Sequence, residues 1–443
     1  MPALSKLAYF LGLPVLNANC YETFHTWSPN CNQAILDALP DGMLFSLKTY
    51  APLYLITALI SNQGDFRRIE WKRYVTEVIR SCIFLNCNLV LFVFFFCRLR
   101  HAIGFFTPIT MGLVGGLFGS FLSLLIEKRN RWPSLALYLT NLASETFFRH
   151  LSNRGYVRKI SKGEVIPFAI GVGLFSYLYS AEKLDENTRK VFNFVYNATG
   201  AKHICLRWPL PEGLRLLLDQ LRTKFGRAEL CEHRHSCVSV VVESFIGNYA
   251  TGLGASVILT ILRNILFLAS NPMRIMKQLF SRSTLRIPIF FGLMPFVFHG
   301  VRCVLTRICV SSHTARNVTA GIASGLAMLA FPNVSIAMYV ISKAIEAMYY
   351  DLFEQGRIRP IPYGDLLLYT ISTAFVLWRI VIEPQAIRKS YFKFILSLTG
   401  NRMALLNRDL YKHFGNQSHL LFPYRPTLNN KYVTINPMLY QPI

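Results

Sequence analysis

The stretch SLALYLTNLASETFFRHLSNRGYVRKISKGEVIPFAI, beginning at Ser134, returns from Ser335 as SIAMYVISKAIEAMYYDLFEQGRIRPIPYGDLLLYTI. The offset is 201 residues throughout, and 11 of the 37 positions are identical, among them Ala136, Tyr138, Glu145, Gly155, Arg158 and Gly163. Apolar bias alone would match a few Leu and Ala. It would not also match a Glu, an Arg and two Gly. In a membrane protein, duplicated halves point to a site between them.

The correspondence runs upstream, where Phe92-Val93-Phe94 and Arg98 meet Phe296-Val297-Phe298 and Arg302, and Gly116 and Ser120 meet Gly321 and Gly325. Each half reads as a short Cys/His segment followed by five helical segments. These are 45–61, 75–97, 105–126, 134–150 and 164–180 in the first half, and 243–269, 287–304, 318–331, 335–353 and 365–382 in the second. The expected fold is an all-α integral membrane protein with about 8–10 helical membrane segments in two tandem pseudo-symmetric repeats. Five crossings per half would invert one half relative to the other. If the 45 or the 134 segment lies in the interface instead, the halves are parallel, and both arrangements stay open. The sequence divides into a Cys-rich segment 1–44, a first membrane repeat 45–180, and a basic linker 181–230. A second Cys-rich segment and repeat span 231–382, and an amphipathic tail spans 383–443.

Composition agrees with a membrane protein: 52% of residues are hydrophobic, 16% are charged, and mean hydropathy is +0.34, whereas soluble domains carry about 25% charge. The net charge is +24. Its Arg and Lys lie between apolar runs, as in RRIEWKR at Arg67–Arg73 and EKRNR at Glu127–Arg131. That placement suits anionic lipid headgroups, and no nucleic-acid motif accompanies it. Because nearly every loop is basic, orientation cannot be read from charge. The apolar LAYFLGLPVL after Lys6 is too short to span, and the last three residues, Gln441-Pro442-Ile443, are not a retrieval tripeptide. Any organelle address is therefore expected in the membrane segments and their flanks.

Three constellations stand out. Gly112, Gly115, Gly116 and Gly119, with Gly321 and Gly325, give four-residue spacings that line small residues along one helix face and predict close helix packing. Glu145 and Glu346 occupy matching positions in apolar helices, where an unpaired carboxylate is costly. Arg149 is the expected partner of Glu145 at i+4, and Lys343 of Glu346 at i−3. An ion pair anchoring helices is one reading; a shared polar cavity with both carboxylates facing it is the other. The third constellation is cysteine and histidine: Cys20, His25 and Cys31 in one cluster, Cys231, His233, His235 and Cys237 in the other. Zinc, a disulfide and packed free thiols all remain open, and alternating ligands in the second cluster would face one side only if extended. Cys82, Cys87, Cys97, Cys303 and Cys309 read as small apolar residues in membrane segments. The helix EGLRLLLDQLRTKF at 212–225 is amphipathic, with Leu214, Leu217, Leu218, Leu221 and Phe225 on one face. No P-loop, GxSxG, HExxH or dinucleotide fingerprint is present, so neither an enzyme nor a cofactor is expected.

The segments NCYETFHTWSPNC, SLKTYAPLYLITALI, YLTNLASETFFR, ISKAIEAMYY and SYFKFILSLTGNRMALLNRDLYKHFG together resemble the transmembrane protein 135 family of peroxisomal membrane proteins. The resemblance runs from about Cys20 to Phe414 and is weakest in the linker. The Gly-rich helix followed by YLTNLASETFF is also similar, more loosely, to the Tim17/22/23 translocase family. The first resemblance implies a multi-pass protein of mitochondrial and peroxisomal membranes, associated with lipid droplets. It implies roles in mitochondrial fission through the dynamin-related GTPase, in peroxisome organisation and in fat storage. Membrane lipids are the expected partners, and an oligomer is compatible. The family defines no catalytic residues to carry over. Two further readings stand beside it: a lipid or ion conduit built from the two repeats, and a translocase-type subunit.

Overall fold

Backbone N–H and C=O groups in apolar surroundings must pair within their own segment, and helix forms in each of the ten apolar segments. The structure, a computed structural model, describes residues 12, 14–158, 160–196, 211–226, 231, 233, 235–263, 272–279, 281–308 and 312–435. Its helices of eight residues or more, in chain order, are α1 (Cys31–Ser61), α2 (Trp71–Ile103), α3 (Leu113–Leu124), α4 (Trp132–Asn153) and α5 (Val165–Ser180). Then follow α6 (Glu186–Tyr196), α7 (Glu212–Lys224), α8 (Cys237–Arg263), α9 (Pro272–Leu279) and α10 (Arg282–Arg307). The last are α11 (His313–Ser324), α12 (Val334–Glu354), α13 (Gly364–Ile382) and α14 (Lys389–Leu398). Among the described residues there is no strand, only one isolated bridge between Leu16 and Phe106.

Among the described residues, four helical stretches are long and apolar enough to cross a membrane: Trp71–Ile103 (α2), Cys237–Ile261 in α8, the stretch that includes α10, and Gly364–Ile382 (α13). The chain is an all-α membrane protein. α3 and α5 are apolar but shorter; the 12 residues of α3 reach about 18 Å at 1.5 Å per residue, against a hydrocarbon core of about 30 Å.

The chain packs as two units. Met1–Arg158 with Ile361–Ile443 forms unit 1, and Lys159–Pro360 forms unit 2. Packing therefore divides the chain at 158 and 360, whereas the sequence halves divide at 180 and 231. The last segment of the first half, α5, belongs to unit 2, and the last segment of the second half, α13, belongs to unit 1. Glycine faces account for both placements. In unit 1, α13 packs on α3 and α4, while α2 packs on α1 and α3. In unit 2, α5 packs on α11 and α12, while α10 packs on α8 and α11.

The core of unit 1 centres on Phe92, Phe96, Phe106, Met111, Leu142, Val376 and Ile380. Its tail is held by the N-terminal segment. Glu22, fully buried, accepts from the backbone N–H groups of Thr434 (2.7 Å) and Ile435 (2.8 Å) and from the Thr434 hydroxyl (2.6 Å). Tyr411 donates its hydroxyl to the Thr23 carbonyl at 3.1 Å, and Thr26 donates to the Leu405 carbonyl at 2.7 Å. The core of unit 2 joins Phe168, Phe192, Tyr196, Phe290, Phe298 and Met328. Of the amphipathic face expected in α7, Leu218 is buried while Leu217 and Phe225 are exposed. Arg222 fixes this helix to α8 by donating from Nε to Glu243 Oε1 at 2.7 Å.

Candidate functional site

A capping box begins the first cluster. Asn19 Oδ1 accepts from the Glu22 N–H at 2.8 Å, and Glu22 Oε2 accepts from the Asn19 N–H at 2.6 Å, fixing the single helical turn Cys20–Thr23. That turn and the loop into α1 bring Cys20, His25 and Cys31 together, and α2 adds Cys97; the four ligand atoms all lie within 4.8 Å of one another. His25 is fully buried. It donates from Nδ1 to the Ser28 carbonyl at 2.7 Å, and its Nε2 has no hydrogen-bond partner among the described residues. Hydrogen bonding to Cys20 pulls the Cys31 thiol far below its ordinary range, while the same contact pushes Cys20 up to about 12. Thiols this close cannot all ionise without a cation among them.

The second cluster has the same make-up. Cys231, His233, Cys237 and Cys303 lie within 4.8 Å of one another. Cys231 Sγ is 3.8 Å from Cys237 Sγ, and Cys303 Sγ is 3.4 Å from His233 Nε2. His233 donates from Nδ1 to the His235 carbonyl at 2.7 Å. Here the structure differs from the sequence reading. His235 contributes its carbonyl to His233 and its ring is outside the cluster. The fourth member of the cluster is Cys303 of α10. Cys97 and Cys303, read as small apolar residues, lie within the tetrads, whereas Cys82 and Cys87 stand outside both; Cys309 lies outside the described residues. The cysteines that are described are free thiols.

The two matched glutamates have unlike surroundings. Glu145 is 4% exposed and neutralised twice. Arg149 donates to its Oε1 from Nη2 at 2.7 Å and from Nε at 3.0 Å, and Arg388 donates to its Oε2 from Nε at 2.8 Å and from Nη2. Arg388 caps α14, so this carboxylate holds the tail helix to α4. Glu346 is half-buried and takes one hydrogen bond, from Lys343 Nζ at 2.5 Å. It lines a polar pocket of unit 2 of about 450 Å³ together with Lys183, Asp185, Asp351 and Glu354. Lys183 also donates to Asp351 at 3.0 Å.

The small residues act as helix contacts. A Cβ at Gly115 or Gly119 would press on the α2 backbone near Phe96 and Phe92, at 3.1 and 2.9 Å. At Gly116 it would press on Ala374, and at Gly325 on Ala169. Gly112, at φ +121°, needs glycine for its backbone as well as its contact with Trp378. Gly321 meets Ser176 of α5.

Unit 1 holds a cavity of about 370 Å³ between α1, α2, α4, α13 and α14. Its wall is apolar, with Leu85, Leu89, Leu139, Leu377 and Phe394, and carries a few polar groups from Asn88, Thr373, Tyr50, Tyr138 and Tyr391. A mostly apolar wall with few polar groups is the make-up of a small-molecule site.

Residues 17–151 match the family described as the N-terminal cysteine-rich region of Transmembrane protein 135. Over these residues the chain is similar to that family. The matched stretch contains the first tetrad whole, together with Glu145 and Arg149. Arg388 and the second tetrad lie beyond it. No solved structure matches the chain.

One signal in the sequence could have found the missing ligands. Cys31 and Cys97 are 66 residues apart, and so are Cys237 and Cys303. An equal spacing from a loop cysteine to a cysteine inside an apolar helix is unexpected if the helical ones are only small apolar residues.

Proposed function

We propose that this chain is a lipid-binding regulator in organelle membranes, acting without catalysis of its own, and that its site is the cavity of unit 1. The cavity carries the reading. Its volume and apolar wall suit part of one lipid, and its Tyr and Asn groups suit a single polar head or hydroxyl. α14 and the tail close one side of it, so an occupied cavity would change how Tyr391 and Phe394 sit. Such a change is a route from lipid content to partners outside the membrane. The resemblance to the transmembrane protein 135 family supports mitochondrial and peroxisomal membranes as the location. It also supports regulation of mitochondrial division through a dynamin-related GTPase, of peroxisome organisation and of lipid storage as the outcome.

The test is lipid analysis of the full-length chain purified in mild detergent, alongside photocrosslinking with a diazirine-bearing fatty acyl lipid. Retained lipid, with crosslinks in the Tyr391 peptide that vanish in Leu89→Trp, is expected. No retained lipid and no crosslink above background would remove the reading. In cells lacking the protein, wild-type chain should restore mitochondrial length and lipid-droplet content, and Leu89→Trp should not.

A conduit is the second reading, favoured by the polar pocket around Glu346 in unit 2. Reconstituted liposomes that pass lipid or ions, and lose this in Glu346→Gln, would support it over the first.

A further inference from the structure

We propose that each Cys/His tetrad binds one zinc ion. The ligands are Cys20, His25, Cys31 and Cys97 in unit 1, and Cys231, His233, Cys237 and Cys303 in unit 2.

Three thiolates and one imidazole form a donor set typical of closed, structural zinc sites. The spacing fits a single tetrahedral ion. With Zn–S about 2.3 Å and Zn–N about 2.0 Å, tetrahedral edges are about 3.8 Å between sulfurs and about 3.5 Å between sulfur and nitrogen. Cys231 and Cys237 are 3.8 Å apart at sulfur, and Cys303 and His233 meet at 3.4 Å. A disulfide would need sulfurs at about 2.0 Å. All ligand atoms of each tetrad fall within 4.8 Å of one another, which fits one ion better than a cluster with two metals.

The histidines supply an independent observation. Metal-bound imidazoles usually donate their second N–H to a carbonyl or carboxylate, which sets the tautomer and aims the ring. His25 does so to Ser28, three residues on, and His233 to His235, two residues on. In both rings that leaves Nε2 as the lone-pair nitrogen directed into the thiols. His25 Nε2 is buried and has no hydrogen-bond partner among the described residues, an arrangement that costs free energy unless a cation accepts the lone pair.

Charge fits as well. Three thiolates around Zn²⁺ leave a net charge of −1, and in unit 1 Arg100, which donates to the Ala18 carbonyl at 2.8 Å two residues before Cys20, brings a positive charge to that end of α2. On coordination the three thiols of a tetrad lose their protons to solvent, and nothing is oxidised or reduced. With four protein ligands no coordination position stays open, so the ions would fasten structure rather than activate water. In unit 1 the ion would fasten the N-terminal segment and the start of α1 to the end of α2. In unit 2 it would fasten the segment before α8 to the end of α10.

Elemental analysis of the untagged full-length chain, purified in detergent without chelator, tests this directly. Two zinc ions per chain are expected, one in Cys31→Ser, one in Cys237→Ser, and none in the double variant. Since either variant can misfold, the wild-type chain carries a second readout by alkylation mass spectrometry. Cys20, Cys31, Cys97, Cys231, Cys237 and Cys303 should gain label after chelator treatment, while Cys82 and Cys87 stay unchanged. Zinc well below one per chain, a disulfide between tetrad cysteines in unreduced digests, or stoichiometric iron in place of zinc would each overturn the proposal. Equal labelling of these eight cysteines with and without chelator would do the same.

Discussion

Gly116 of α3 lies against the backbone of Ala374 on α13, so closely that a Cβ at position 116 would stand 2.8 Å from the Ala374 Cα. Unit 2 repeats the contact: a Cβ at Gly325 would stand 2.5 Å from the Ala169 Cα on α5. Backbone atoms cannot give way as a flexible side chain does. In lipid, close packing and not the hydrophobic effect holds helices together. Gly116→Leu and Gly325→Leu should each destabilise by about 3 kcal/mol or more, the upper end for overpacked sites. Gly247→Ala is the control. Nothing lies within 4 Å of a Cβ there, and removing a helical glycine should stabilise by about 0.5–1 kcal/mol. Melting temperatures of the three variants in one detergent decide it.

Glu145 and Glu346 match in sequence but not in consequence. Glu145→Ala leaves Arg149 and Arg388 facing each other with no carboxylate. Their side chains are 36% and 21% exposed, which screens part of the repulsion. A loss of about 2 kcal/mol is expected, below the 3–5 kcal/mol for a fully buried pair. α14 should loosen at the same time, so limited proteolysis should cut near Arg388 sooner. Glu346→Gln breaks only a half-exposed pair with Lys343 and should change stability by about 0.5 kcal/mol or less. Equal destabilisation by both variants would contradict this assignment.

His150 gives unit 1 a pH dependence. Its Nδ1 donates to Glu383 Oε2 at 2.5 Å, with Arg379 and Arg154 on the same carboxylate. Burial, then the Arg379 guanidinium, hold the imidazole below its ordinary value despite the Glu383 carboxylate. The folded chain therefore binds fewer protons here than the unfolded chain, and stability rises with pH. The contribution is complete above the unfolded histidine value of about 6.5 and is lost as pH falls below it. Melting temperature should drop between pH 7.5 and 5.5, and His150→Gln should flatten part of that slope. A slope unchanged in the variant would assign the dependence elsewhere.

The ten helical segments could be read because each is a local apolar run, and a run long enough to bury itself has to fold as helix. The close glycine contacts could be read for a similar reason, since four-residue spacing is local. What the sequence hid was long-range. Nothing near Gly116 says that its partner is Ala374, or that α5 and α13 each pack apart from the rest of their own half. Cys97 and Cys303 were hidden because a cysteine in an apolar helix looks like any small residue until a loop cysteine reaches it. The anchoring of the tail was hidden because its partners, Glu22 and Thr23, lie about 400 residues away in the chain.

Arg408 marks a site where stability has been given up. It is fully buried, and burial pushes its guanidinium down to about 10. Only Nη2 finds an acceptor, the Met403 carbonyl at 3.2 Å; Nε and Nη1 have no hydrogen-bond partner among the described residues. The guanidinium also lies over the Phe422 ring, with Cζ 5.2 Å from its centroid. A buried cation with unmet donors is costly, and replacing such a group with an apolar one of similar size is often neutral or stabilising. Arg408→Met keeps the length and the ring contact while removing the charge. It should raise stability by about 1 kcal/mol, within the range seen for such replacements. Because the folded guanidinium loses its proton sooner than the unfolded one, wild-type stability should also rise as pH climbs above about 10, and the variant should lack that rise. Thermal melts of both chains across that pH range measure the two effects together, and a clear loss of stability in Arg408→Met would show that the guanidinium is a net stabilising group.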